Sequence, residues 1–227
     1  MKSNKFSRLL GVSAGALVLG AVATTAFADL AVKNWRIFSV QPDGTPFWDF
    51  DKAPSLDAGG VWFPFAQVAD DEYAVYLLAN YNVNLTGKTI TATVAVHVST
   101  DTLFWTRSTA CVNDGNDAYV RLEFQTVAQT PNYGPDDYWW STDGNSLNLS
   151  TLALASPQTL SVSTIDLTKW SNLDGQLASS RPAAFAKALK NVKEVSLSFG
   201  SPCRYASGVA VTGGGGIFEL LNYTIAP

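Results

Sequence analysis

Histidine is nearly missing from this sequence: His97 stands alone, beside two cysteines and one methionine in 227 residues. A catalytic thiol needs a base close by, and nothing in the sequence brings His97 near Cys111 or Cys203. Charge is sparse as well, at 15% of residues, and basic charge is the scarcer kind, with 15 Lys and Arg against 19 Asp and Glu. An acidic surface repels phosphate backbones, which argues against a nucleic-acid partner and, for the same reason, against anionic lipid. Beyond the N-terminal segment no run resembles a membrane span, so no integral membrane segment is expected in the mature chain.

That N-terminal segment has a recognisable form. Lys2, Lys5 and Arg8 give a basic start, Leu9 to Ala23 follows without a charge, and Ala26-Phe27-Ala28 offers small residues at a cleavage site. The apolar run is shorter than the about 20 residues a spanning helix needs. Residues 1–28 therefore read as a signal peptide, and residues 29–227 as a single exported domain, secreted or periplasmic. Cleavage removes three basic residues and no acid, leaving a net charge of −7 instead of −4. In an exported chain Cys111 and Cys203, 92 positions apart, are expected to form a disulfide. The loop-closure model assigns such a bridge roughly 4 kcal/mol.

What the chain has in quantity is alternation. Within 89–98, Ile90, Val94, Val96 and Val98 share one face, while Thr89, Thr91, Thr93 and His97 share the other. Tyr119 to Gln125 sends Val120, Leu122 and Phe124 inward, and Val195, Leu197 and Phe199 alternate with Glu194, Ser196 and Ser198. Further strands are expected near 32–40, 60–66, 73–80, 103–108, 137–141, 159–165, 207–212 and 216–225. Half-buried strands of this kind, split by Gly, Asn, Asp and Pro clusters, predict an all-β sandwich of two antiparallel sheets. One short helix is expected after Ser180 as cap and Pro182 in its first turn, with Phe185, Leu189 and Val192 on one face. Residues 127–136 read as a long loop and Gly213–Gly216 as a hairpin turn, since the glycines lack the Lys-Ser/Thr and helix of a phosphate loop.

Aromatic residues make up 12% of the chain. Tyr138-Trp139-Trp140 closes the long loop and opens a strand, so one indole points inward and the other outward. Two readings follow. The pair packs a core or a loop, as aromatics commonly do in β proteins, or one indole stacks on the apolar face of a sugar ring. In the second reading His97, Tyr119, Arg121, Glu123 and Gln125 are polar neighbours for hydroxyls, with Arg204 and Tyr205 in a loop at the rim. Trp35, Trp62 and Trp105 are expected in the core. Asp49/Asp51, Asp70-Asp71-Glu72 and Asp136-Asp137 are carboxylate clusters, but none has the spacing of a calcium loop. They read as solvated loop charge, with a structural calcium ion as the alternative and no other cofactor. Glycoside hydrolysis needs two carboxylates across a cleft; Glu123 has no identifiable partner, so no catalytic residue is assigned. The sequons at Asn84, Asn148 and Asn222 carry little weight.

The strings Val120-Arg121-Leu122-Glu123-Phe124-Gln125, Asp137-Tyr138-Trp139-Trp140-Ser141, Trp170-Ser171-Asn172-Leu173-Asp174-Gly175-Gln176 and Phe185 to Val192 resemble a family of bacterial secreted proteins. So do Ser196-Leu197-Ser198-Phe199-Gly200, Gly208-Val209 and Phe218-Glu219-Leu220. Across about residues 87–225 the pattern is also similar to jelly-roll sandwiches of the galactose-binding-like and carbohydrate-binding-module type. The resemblance implies a jelly roll and binding of extracellular glycan, and transfers no catalytic residue. The expectation is a secreted, non-catalytic binding protein for polysaccharide or cell-surface glycan, its ligand residues Trp139, Trp140, Arg121, Glu123, His97 and Tyr119. The alternatives are a structural or adhesive envelope protein and, behind it, a glycan hydrolase.

Overall fold

A computed structural model describes residues 35–40, 49–52, 54–56, 60–107, 117–127 and 133–227. The signal peptide and Cys111 lie outside the described residues, as do residues 128–132 of the 127–136 loop and the side chains of Asp49 and Asp51. The strands run β1 (Trp35–Val40), β2 (Asp49–Lys52), β3 (Ser55–Leu56), β4 (Val61–Pro64), β5 (Tyr73–Val83), β6 (Thr89–Val98), β7 (Leu103–Thr106), β8 (Tyr119–Gln125), β9 (Tyr138–Ser141) and β10 (Ser146–Asn148). Helix α1 (Leu149–Leu154) follows, then β11 (Gln158–Ser163), β12 (Trp170–Asn172), helix α2 (Pro182–Leu189), β13 (Val192–Gly200), β14 (Val209–Thr212) and β15 (Gly216–Ala226).

These strands form the expected all-β sandwich of two antiparallel sheets. The larger sheet has ten strands, with the path β12-β9-β8-β13-β5-β1-β2, β10 beside β8, and β14 joining β5 to β7. The smaller sheet is β11-β6-β15-β4-β3. Neighbouring strands pair antiparallel throughout, as in the ten-residue ladder of β6 on β15.

The inner faces supply the core. Val120, Leu122 and Phe124 of β8, with Val195, Leu197 and Phe199 of β13, meet Ile90, Val94 and Val96 of β6 and Phe218 of β15. Phe199 and Phe218 have ring centroids 4.9 Å apart, and Phe63 and Phe65 close the group edge-on. A register shift between Leu220 and Asn222 lets both Leu220 and Tyr223 face inward despite odd spacing, the mark of a bulge.

Several expectations need correction. Val98 is exposed at the strand end instead of buried. Trp35 is a core residue, but Trp62 and Trp105 are half-buried; the Trp105 indole donates to Thr212 Oγ1 at 2.8 Å. Trp170 takes a core place instead, packed between Phe124 and Phe185. Among the described residues two α-helices stand where one was expected: α1 is capped by Asn148, whose Oδ1 accepts from the Thr151 N–H at 3.1 Å. In α2 Pro182 does hold the first turn, yet Arg181 takes the N-cap position and Ser180 Oγ donates to the Leu177 carbonyl. The Gly213–Gly216 turn joins β14 in one sheet to β15 in the other, so it is an inter-sheet crossing, not a hairpin. Gly213 has φ +77°, and a Cβ there would sit 2.1 Å from the Asp101 carbonyl oxygen.

Candidate functional site

Strand register gathers polar and aromatic side chains on the face of the large sheet that points away from the core. Arg121, Glu123 and Gln125 alternate with the inward Val120, Leu122 and Phe124 along β8. Glu123 pairs across β9 with Trp140 and across β13 with Ser196. Ser171 lies opposite Trp140, Ser198 opposite Arg121, and Glu194 opposite Gln125. The same face carries a second apolar cluster of Phe38, Val40, Val75, Tyr76, Leu78, Tyr138 and Trp140, against which Tyr205 packs.

The two indoles do split as alternation requires, but neither is open to solvent. Trp139 faces the core, its ring 4.8 Å from Phe185 and its Nε1 donating to the Asp136 carbonyl at 2.8 Å. Trp140 faces the other way and is 2% exposed, stacked on Tyr138 with centroids 5.7 Å apart. Arg121 and Glu123 are fully buried, which corrects the expectation of a solvent-facing polar row. His97 is not part of this group: it sits on β6 of the smaller sheet, exposed, its Nε2 3.0 Å from Glu219 Oε2. Tyr119 is half-buried beside Arg121, whose Cζ lies 5.3 Å from its ring centroid.

A groove of about 850 Å³ opens against this face, within the size range of ligand clefts. Trp140, Tyr76 and Tyr205 line it with Asn172, Asp174 and Arg204. One wall is the loop after β13, which turns back because Gly200 has no side chain: a Cβ would lie 2.3 Å from the Arg204 carbonyl oxygen. Ser201 N–H donates to that carbonyl at 3.0 Å, and Arg204 N–H donates to Ser201 Oγ at 3.2 Å. Arg121 ties the loop to the sheet. Its guanidinium lies 4.2 Å from the Tyr205 centroid and donates to Asp143 Oδ1 at 2.5 Å and to the Pro202 carbonyl at 3.4 Å. Tyr76, Asn172 and Ser198 escaped sequence reasoning, although the outward alternation of Ser196 and Ser198 was the available signal; which strand faced them was not.

Electrostatics on this face are dominated by burial. Desolvation pushes the Glu123 carboxyl well above the ordinary range, against the opposing hydrogen bonds from Ser196 and Gln125. Glu194 is pushed up to about 7 by the same cause, with Arg36 at 3.4 Å opposing it. Burial also raises the Tyr76 and Tyr138 phenols and lowers Arg121, the latter partly offset by Asp143. Among the described residues, nine buried side-chain polar atoms have no hydrogen-bond partner. Seven of them are on this one face: Arg121 Nε and Nη1, Glu123 Oε1, Trp140 Nε1, Ser171 Oγ, Glu194 Oε2 and Ser198 Oγ. Each such group needs a reason to be there.

The acidic clusters have other work. Asp70 Oδ2 accepts from the Gln67 N–H, Asp136 pairs with Arg181 and accepts from Asn172, and Asp137 accepts from Gly134 N–H and Thr126 Oγ1. Among the described residues no group of His, Cys, Asp or Glu is placed to hold a metal ion, and no helix is long and apolar enough to cross a membrane.

No family model and no curated protein matches this chain. Among solved structures it is similar to a xylan-binding module, CBM15, at 13% identity and a TM-score of 0.36, over 85% of this chain and 94% of that one.

Proposed function

We propose that the chain is an exported, non-catalytic carbohydrate-binding protein whose ligand lies in the groove against Trp140, Tyr76 and Tyr205. In this reading residues 1–28 are cleaved, 29–227 form one domain, and Cys111 and Cys203 are bridged. The observation that carries it is a groove walled by the rings of Trp140, Tyr76 and Tyr205, in which the Trp140 Nε1 donor has no hydrogen-bond partner among the described residues. Aromatic faces cover the C–H faces of a sugar, and a sugar hydroxyl accepts from such an indole N–H.

The test is a pull-down with a panel of insoluble polysaccharides, comparing the mature chain with Tyr205→Ala and with Trp140→Ala. Retention of the parent by at least one polysaccharide and its loss in both variants supports the reading. Binding that survives both substitutions overturns the site. A structural envelope protein is the second reading, favoured by the burial of both Trp139 and Trp140; it predicts no retention on any polysaccharide.

A further inference from the structure

A second wall of the groove is the turn Asn172–Gln176 after β12, which contributes Leu173, Asp174 and Gly175 to the lining. Its closure is set by Asn172, 1% exposed. The Asn172 N–H donates to the Gln176 carbonyl, the Gln176 N–H to Asn172 Oδ1 and the Gly175 N–H to the Asn172 carbonyl, each at 2.9 Å. Gly175 has φ +74°, the left-handed conformation that favours glycine. The turn is also anchored from outside. Asn172 Nδ2 donates to Asp136 Oδ1 at 2.9 Å, and the Leu173 N–H donates to the Pro135 carbonyl at 3.1 Å. Arg181, at the N-cap of α2, pairs with that same Asp136 and donates to Gln176 Oε1 at 3.3 Å.

Much of the groove's polarity is spent inside the protein. Both ends of the Asn172 amide serve the turn, Asp143 accepts from Arg121, and Ser207 Oγ accepts from the Ser201 N–H. Asp174 differs. Its carboxylate is exposed at the groove and makes no hydrogen bond or ion pair among the described residues. A carboxylate has enough lone pairs to accept from two hydroxyls at once, and such charge-assisted bonds are the strong ones. The turn that carries it is ordered before any ligand arrives, so the cost of fixing it does not fall on binding.

We propose that Asp174 is the groove's ligand-contacting acceptor, taking hydrogen bonds from the hydroxyls of the bound glycan. Arg181 is a positioning residue that holds the Asp174 turn through Asp136 and Gln176. This rests on the glycan reading given above. The rings of Trp140, Tyr76 and Tyr205 tolerate any sugar with an apolar face, whereas Asp174 requires hydroxyls within its reach and so sets which sugar is preferred.

The experiment is calorimetric titration with soluble glucan, mannan, galactan and polygalacturonate, comparing the mature chain with Asp174→Ala, Arg181→Ala and the double variant. Asp174→Ala is expected to weaken the polymer that the parent binds by roughly ten- to hundredfold. Its melting midpoint is expected within about 2 °C of the parent's, because the side chain has no partner to lose. Arg181→Ala is expected to weaken the same polymer roughly three- to tenfold and to speed hydrogen exchange at the Gly175 and Gln176 amides. Added to Asp174→Ala, it is expected to cost less than about a further twofold, since Arg181 acts through Asp174. Parent-like affinity of Asp174→Ala overturns the contact, and an Arg181 effect that is absent or fully additive overturns the positioning role. Either result leaves the glycan reading standing. Binding of none of the four polymers by the parent overturns both.

Discussion

The guanidinium of Arg121 stacks on the ring of Tyr205, 4.2 Å from its centroid, and so couples the floor of the large sheet to the loop that walls the groove. A buried cation over an aromatic face contributes about 2 kcal/mol, and a planar guanidinium does this in a way an ammonium does not. Arg121→Lys is therefore expected to destabilise the chain by about 1–2 kcal/mol and to weaken the tyrosine signal in near-ultraviolet circular dichroism. An unchanged spectrum and unchanged melt would show that the stack does not hold the loop.

The buried carboxyls make stability depend on pH. Glu194 keeps its proton up to about 7 in the folded chain, whereas the unfolded chain releases it near 4.5. A carboxyl raised on folding contributes stability that is complete below the unfolded value and is lost as pH rises through the folded one. The full effect is about 3 kcal/mol, and Glu123 acts in the same direction. Urea unfolding at about pH 5 should give a higher midpoint than at about pH 8, and Glu194→Gln should flatten the difference. A midpoint that rises over this window would be incompatible with burial as the cause.

Phe199 is fully buried, while His97 sits on the open face of the smaller sheet. Phe199→Ala is expected to cost about 3–5 kcal/mol because it opens a cavity between the sheets. His97→Ala removes only an exposed pair with Glu219, worth about 0–1 kcal/mol. Equal effects in chemical denaturation would contradict the placement of the core.

Alternation made the sandwich legible, because inward residues such as Leu122, Phe124, Leu197 and Phe199 recur every second position. It also put Arg121, Glu123 and Gln125 on one face with Trp140. It could not tell that this face is covered, since burial of a polar strand face is a tertiary property. Nor could it exclude His97, whose outward position on β6 is the same local pattern on the other sheet. Helix α1 leaves no such signature, because its six residues are too few to show helical periodicity and its Asn148 cap also begins a sequon. The groove wall was hidden for a similar reason: Gly200 looks like a strand end until the Arg204 carbonyl is seen against it.

If the chain is exported as proposed, Cys111 and Cys203 are expected to be bridged. Denatured mature protein is expected to take up an alkylating reagent at both cysteines only after reduction. Mass-spectrometric labelling without reductant would mean free thiols.

The central claim is that ligand occupies the groove at Trp140, and the indole N–H resonances report on it directly. Titration of isotopically labelled protein with a neutral soluble glycan, the Trp140 signal being assigned through Trp140→Phe, is expected to shift that indole resonance while His97 stays still. Saturable binding that leaves the Trp140 resonance in place, or that moves His97 instead, would contradict the account.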